Sequence, residues 1–132
     1  MGKIKIVVAT HGKFGEELIK SAEMIVGQMS DVYSISLTAD KSFEDFLTEA
    51  NNILSNLEGP IISLVDLHGG TPGNAMTVLS KRYNNQVITG VNLPMLIDLY
   101  LKSSTIESVE ALADGCLATL VESGVHTNKL LV

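Results

Sequence analysis

Cys116 is the only cysteine among 132 residues, so no internal disulfide can form, and a reducing, cytoplasmic setting is the plain reading. The chain has no Lys/Arg cluster and a net charge of −6, which disfavours nucleic acid and anionic membrane as partners. No apolar run approaches the roughly 20 residues that a spanning helix needs. The opening MGKIKIVVAT enters strand-like sequence directly and so lacks the form of a signal peptide. N-myristoylation of Gly2 would require Ser or Thr where Ile6 stands. Repeats, linkers and low-complexity segments are missing too, which leaves a single domain over 1–132. At 45% hydrophobic with both charge signs interspersed, that length buries a real core.

The sequence instead alternates two periods. KIKIVVAT is a continuous β-branched run, the pattern of a strand buried on both faces, and VYSISL, IISLVDL and NNQVITGV supply three more strands. Between them lie helical spacings. Phe14, Leu18, Ala22, Ile25 and Met29 form one set. Phe43, Phe46, Leu47, Ala50, Ile53, Leu54 and Leu57 form the clearest stripe, with Ser42 as N-cap. TPGNAMTVLSKRY opens a helix with Thr71 as cap and Pro72 first, and another helix starts at Pro94. Val109, Leu112, Ala113, Cys116, Leu117, Leu120 and Val121 line a last helix ending at Gly124, and the tail VHTNKLLV reads as a short final strand. Alternating strands and helices predict a small doubly wound α/β/α domain with a mostly parallel sheet, strand order 2-1-3-4, plus a C-terminal edge strand.

In such sheets ligands bind beyond the carboxyl ends of the strands. The segments VVATHG, LVDLHGG and GVNLP all end there, so His11 and Asp66 should face each other from adjacent parallel strands. A carboxylate on one ring nitrogen fixes the tautomer and leaves the other free as base, nucleophile or ligand. Gly69 and Gly70 permit close backbone approach, and the helix start at Thr71-Pro72 forms an anion-binding end. The segment HGKFGEE offers a second helix amino end beside Gly12. Neither a Walker loop nor a dinucleotide fingerprint is present. An imidazole, an orienting carboxylate and two helix amino ends together point to phosphoryl chemistry on histidine. His68, two residues after Asp66, allows a rival reading as a zinc site made of His11, Asp66 and His68. Lys13 and His126 read as solvated surface, and Cys116 as core.

The motifs VVATHG, SAEMIVG, LVDLHGGTPGNA and GVNLPML, in that order, resemble the IIA component of the mannose class of the bacterial sugar phosphotransferase system (PTS). The resemblance runs from the first strand through the helix after Pro94. It implies that His11 is the phosphorylated nucleophile, through its tele nitrogen, and that Asp66 orients it. It also implies that Gly12, Gly70 and Thr71 surround the phosphate. It implies no cofactor and no metal, a cytoplasmic protein, and a homodimer whose C-terminal strand either pairs with its own sheet or is swapped onto the partner's. The phosphoryl donor would be HPr. The acceptor would be a IIB component on a separate polypeptide, which feeds a membrane IIC/IID permease. His68 departs from the family, where the position is often tryptophan. With Asn92 and Pro94 it reads as part of the partner surface.

Three alternatives stand beside this reading. One is the phosphotransfer subunit of dihydroxyacetone kinase, which has a similar domain. Another is a small metal-dependent hydrolase using His11, Asp66 and His68. The third is a regulatory module that binds a phosphorylated ligand.

Overall fold

A computed structural model describes residues 3–105 and 108–131, so the readings made for Gly2 and Val132 lie outside the described residues. Strands β1 (Lys5–His11), β2 (Val32–Leu37), β3 (Ile61–Val65) and β4 (Asn85–Thr89) alternate with helices. The helices are α1 (Phe14–Val26), α2 (Phe43–Ser55), α3 (Thr71–Leu79), α4 (Leu93–Lys102) and α5 (Val109–Ser123). The four strands pair in parallel in the order β2-β1-β3-β4, as the pattern predicts.

The β-branched runs are buried on both sides because helices cover both faces of the sheet. Ile6 and Val8 of β1 point one way, with Ile62 and Leu64, into a core closed by Ala22, Leu96, Leu99 and Leu112. Val7 and Ala9 point the other way, with Val65, against Phe46, Leu54, Ala75 and Met76. After β2 the chain returns to the opposite side of β1, so a crevice opens between the carboxyl ends of β1 and β3. One buried polar pair interrupts the second core: Ser63 donates to Asn85 Oδ1 at 2.6 Å, and Asn85 donates to the Met76 carbonyl.

Local signals hold where they are strong. Ser42 caps α2 in a full capping box, accepting from the Asp45 N–H while the Asp45 carboxylate accepts from the Ser42 N–H. Four readings need correction. Helix α1 stops at Val26 because Gly27 turns at φ 84°; Met29 packs into the core from the loop beyond, and Phe14 and Ile25 are exposed. The N-cap of α3 is Gly70, not Thr71, and Thr71 is already helical. Leu117 and Val121 of α5 face outward. The tail does not form a strand: Thr127–Leu130 curl into a 3₁₀ turn, with Lys129 N–H on the His126 carbonyl. A strand exists only through a ladder, and the sheet of the described residues ends at β2 and β4.

No helix among the described residues is long and apolar enough to cross a membrane. Cys116 is core, as its helical position implies, and burial pushes its thiol pKa up to about 11. The unfolded thiol ionises first, near 9, so this group's contribution to stability is lost as pH rises from about 9 to about 11. A disulfide reagent at pH 8 should therefore leave the native protein untouched and react promptly once urea unfolds it, which absorbance of the released thiol reads directly.

Candidate phosphoryl-transfer site

The ladder between β1 and β3 ends at the pair Ala9 and Val65. One residue later, Asp66 takes over from the strand. Its Oδ2 accepts the backbone N–H of His11 at 3.0 Å and lies 2.9 Å from His11 Nδ1. A carboxylate only accepts hydrogen bonds, so Nδ1 of the neutral imidazole carries the proton and Nε2 keeps its lone pair. The His11 side chain is 47% exposed, whereas that of Asp66 is 16% exposed. Oδ1 of Asp66 is buried and has no donor among the described residues, so both hydrogen-bond partners of this carboxylate belong to His11.

The chain leaves His11 through a tight turn. Gly12 sits at φ 56° and donates to the Leu37 carbonyl at 2.7 Å, which ties the turn to the end of β2. Thr10, fully buried, accepts the Gly15 N–H on Oγ1 at 2.8 Å and donates to the Gly12 carbonyl at 3.5 Å. Gly15 presses so closely on β1 that a Cβ there would lie 3.0–3.1 Å from Val8 and Thr10. Thr10 and Gly15 are the functional-site supports that sequence reading missed. Their signal was only a threonine before the histidine and a glycine five residues on.

The two helix amino ends beside His11 differ in character. At α1 the Gly15 amide is taken by Thr10, and Glu16 and Glu17 already oppose an anion in the first turn. At α3 no acidic residue occupies the first turn and no side chain caps the end. Pro72 has no N–H, so the Thr71 and Gly73 amides are the donors that lie too early in the helix for an i−4 carbonyl within it. The anion-receptive end is therefore that of α3.

Other predicted residues fall in different places. His68 is exposed on the loop that follows β3. The chain leaves extended geometry at Val65, so the two-residue parity that aligned His68 with Asp66 does not apply. Among the described residues no group of three His, Cys, Asp or Glu side chains is arranged to hold a metal ion. Asn92 is engaged inside the protein: its Oδ1 caps α4 on the Met95 N–H at 2.9 Å, and its Nδ2 donates to Ser123 of α5 at 3.1 Å. Pro94 is exposed on the first turn of α4. Leu37, Thr38, Ala39 and Lys41, from the end of β2, line an open hollow of about 570 Å³ with His11 and Gly12. The Lys41 ammonium there is held by Glu49 at 2.6 Å and by the Ser36 carbonyl at 2.8 Å.

A family profile described as "PTS system fructose IIA component", of the mannose EIIA type, matches residues 5–115. The chain belongs to this EIIA family. The PTS mannose-specific EIIAB component of Escherichia coli K12 is 33% identical over 131 residues, 97% of this chain. The chain spans only 39% of that relative's length. The solved EIIA component from Streptococcus agalactiae superimposes with a TM-score of 0.89 at 31% identity, covering 96% of this chain and 98% of that one. The mannose/sorbose-specific IIA subunit from Enterococcus faecalis gives 0.87 at 30% identity, covering 94% of each chain.

Within this EIIA domain the Thr10 hydroxyl has a measurable job. Thr10→Val keeps the shape but orphans the Gly15 N–H, which should cost about 1–3 kcal/mol in urea unfolding. Thr10→Ser should cost less, because it keeps the acceptor.

Proposed function

We propose that this domain is a phosphocarrier of the sugar PTS, with His11 as the residue that takes the phosphoryl group from phospho-HPr and passes it to a IIB component. The observation that carries this reading is the Asp66 carboxylate on His11 Nδ1, which leaves Nε2 unprotonated at the amino end of α3. Nε2 attacks phosphorus, the bond from phosphorus to the donor atom breaks, and its electron pair stays with the donor. The Nδ1 proton does not leave. As Nε2 acquires its fourth bond the ring becomes cationic, and the adjacent carboxylate stabilises that charge. Transfer to IIB is the same exchange in reverse.

The incoming phosphoryl oxygens are repelled by Asp66, and the free amides of α3 at Thr71 and Gly73 offset that repulsion. Gly12, Gly70 and Thr71 would border the group, while His68 and Pro94 lie on the rim that partners approach. The site is an open surface and not a deep pocket, as a substrate that is itself a protein requires. Membership of the EIIA family supports the same reading.

The test is labelling with phosphoenolpyruvate, enzyme I and HPr. The wild-type protein should take up one acid-labile, base-stable phosphoryl group and deliver it to a IIB component. His11→Ala should take up none; normal uptake by that variant would overturn the proposal. Asp66→Asn should slow uptake on the order of 100-fold while leaving the fold intact, because an amide keeps a hydrogen bond but not the charge.

We also infer that the domain is a homodimer built through its C-terminal end. Val121 of α5 is 80% exposed and Leu131 of the tail 79%, and Leu117, Val125 and Leu130 lie open as well. So much apolar surface on one segment calls for a cover. Light scattering at micromolar concentration should give twice the chain mass, and deletion of 125–132 should give a monomer. A full-length monomer, or a truncated dimer, would count against the inference.

A further inference from the structure

Three glycines flank the rim, and their reasons differ. Gly12 and Gly69 have φ of 56° and 87°, a region that side chains other than glycine rarely enter, and neither has any atom within 4 Å of where a Cβ would sit. Gly70 is the opposite case. Its φ of −87° and ψ of 170° are ordinary extended backbone, open to any residue. As the N-cap of α3 it occupies a position where serine, aspartate or asparagine would stabilise the helix, and the cap carries no side-chain hydrogen bond. Local structure therefore gives no reason for glycine here.

The reason lies across the crevice. A Cβ on residue 70 would fall 2.7 Å from Cε1 of His11 and 3.2 Å from Nε2. Carbon atoms in good contact are about 3.5–4.0 Å apart, so the ring would have to move. It cannot move in place, because Asp66 holds Nδ1 at 2.9 Å on the other side. The half-exposed ring has a way out toward solvent, away from Asp66.

We propose that Gly70 is the positioning residue for His11: its bare Cα leaves room for the imidazole to stay bonded to Asp66, which sets both the tautomer and the place of Nε2. Asp66 attracts one edge of the ring, and the backbone of residue 70 bounds the other. Any side chain at 70, even a methyl group, expels the ring into water without disturbing the fold. The consequence for phosphoryl transfer rests on His11 being the acceptor, as proposed above; the consequence for the ring does not.

Gly70→Ala separates these. In the wild-type protein, ¹⁵N NMR of the His11 ring should show protonated Nδ1 and unprotonated Nε2. In Gly70→Ala the ring should shift toward the solvent tautomer mixture with Nε2 protonated, the melting temperature should change little, and phosphoryl uptake should slow about 100-fold, the scale of an ångström misplacement. Should Gly70→Ala fail to fold, it is made in the His11→Ala background, where the absent ring should let alanine fit and the double variant should melt near the His11→Ala parent. The proposal is overturned if Gly70→Ala keeps the wild-type ring signals, whatever its rate. It is equally overturned if alanine at 70 destabilises the protein as much without His11 as with it. If the wild-type protein takes no phosphoryl group at all, the phosphocarrier reading falls, and the ring signals still decide the role of Gly70.

Discussion

The Asp66 carboxylate holds His11 twice, through the backbone N–H and through the ring, and the architecture of the rim depends on that double hold. The backbone contact substitutes for a ladder bond beyond the last strand pair, so β1 stays aligned with β3 for one more residue. The ring contact then comes at little further entropic cost, because the partner is already in place. Register is therefore part of the chemistry. A one-residue slip of β3 against β1 would send Asp66 to the opposite face, and it would also turn Ser63 away from its buried partner Asn85 into the other apolar core.

The double hold also explains why the two helix amino ends at the rim are unequal. Helix α1 follows His11 so closely that its first turn is consumed in anchoring the turn, with Thr10 on the Gly15 amide and Gly12 on Leu37. Glu16 and Glu17 then balance the remaining dipole. Helix α3 begins after a longer loop, from 66 to 70, and carries no such obligations at its start. One end supports the histidine, and the other is left to receive charge.

Much of this was legible in the residues because it rests on strong, local signals. Four β-branched runs alternating with helical spacings are enough for a parallel sheet, and an ionisable residue at the end of such a run lies on the rim by topology. The pairing of His11 with Asp66 followed from strand adjacency alone. What the residues did not reveal depends on distances between segments far apart in sequence. Thr71 looks like a cap by type, yet the chain turns one residue earlier, at Gly70. Asn92 looks like a rim side chain, yet Ser123, 31 residues on, engages it. The tail looks like a strand because apolar content is short-range information, whereas a ladder partner is not. Gly70 was legible as a small residue near the site, but its contact with the ring belongs to the tertiary fold.

Among the described residues no cation is fixed on His11, which fits the proposed relay. The lysine lining the adjacent hollow, Lys41, is neutralised by Glu49, and the charge that faces Nδ1 is negative. A lysine or arginine on the phosphoryl oxygens would deepen the phosphorylated state, and each 1.4 kcal/mol of added depth would make onward transfer about tenfold less favourable. Backbone amides of a helix end offer a smaller and fully preorganised attraction, typically about 0.3–1 kcal/mol where solvent is near. That is enough to offset part of the repulsion from Asp66 without trapping the group. On the proposed reading, a carrier between two proteins needs this near-neutrality more than it needs affinity. The half-exposed ring, the partly buried carboxylate beside it and the uncapped end of α3 are the arrangement that provides it.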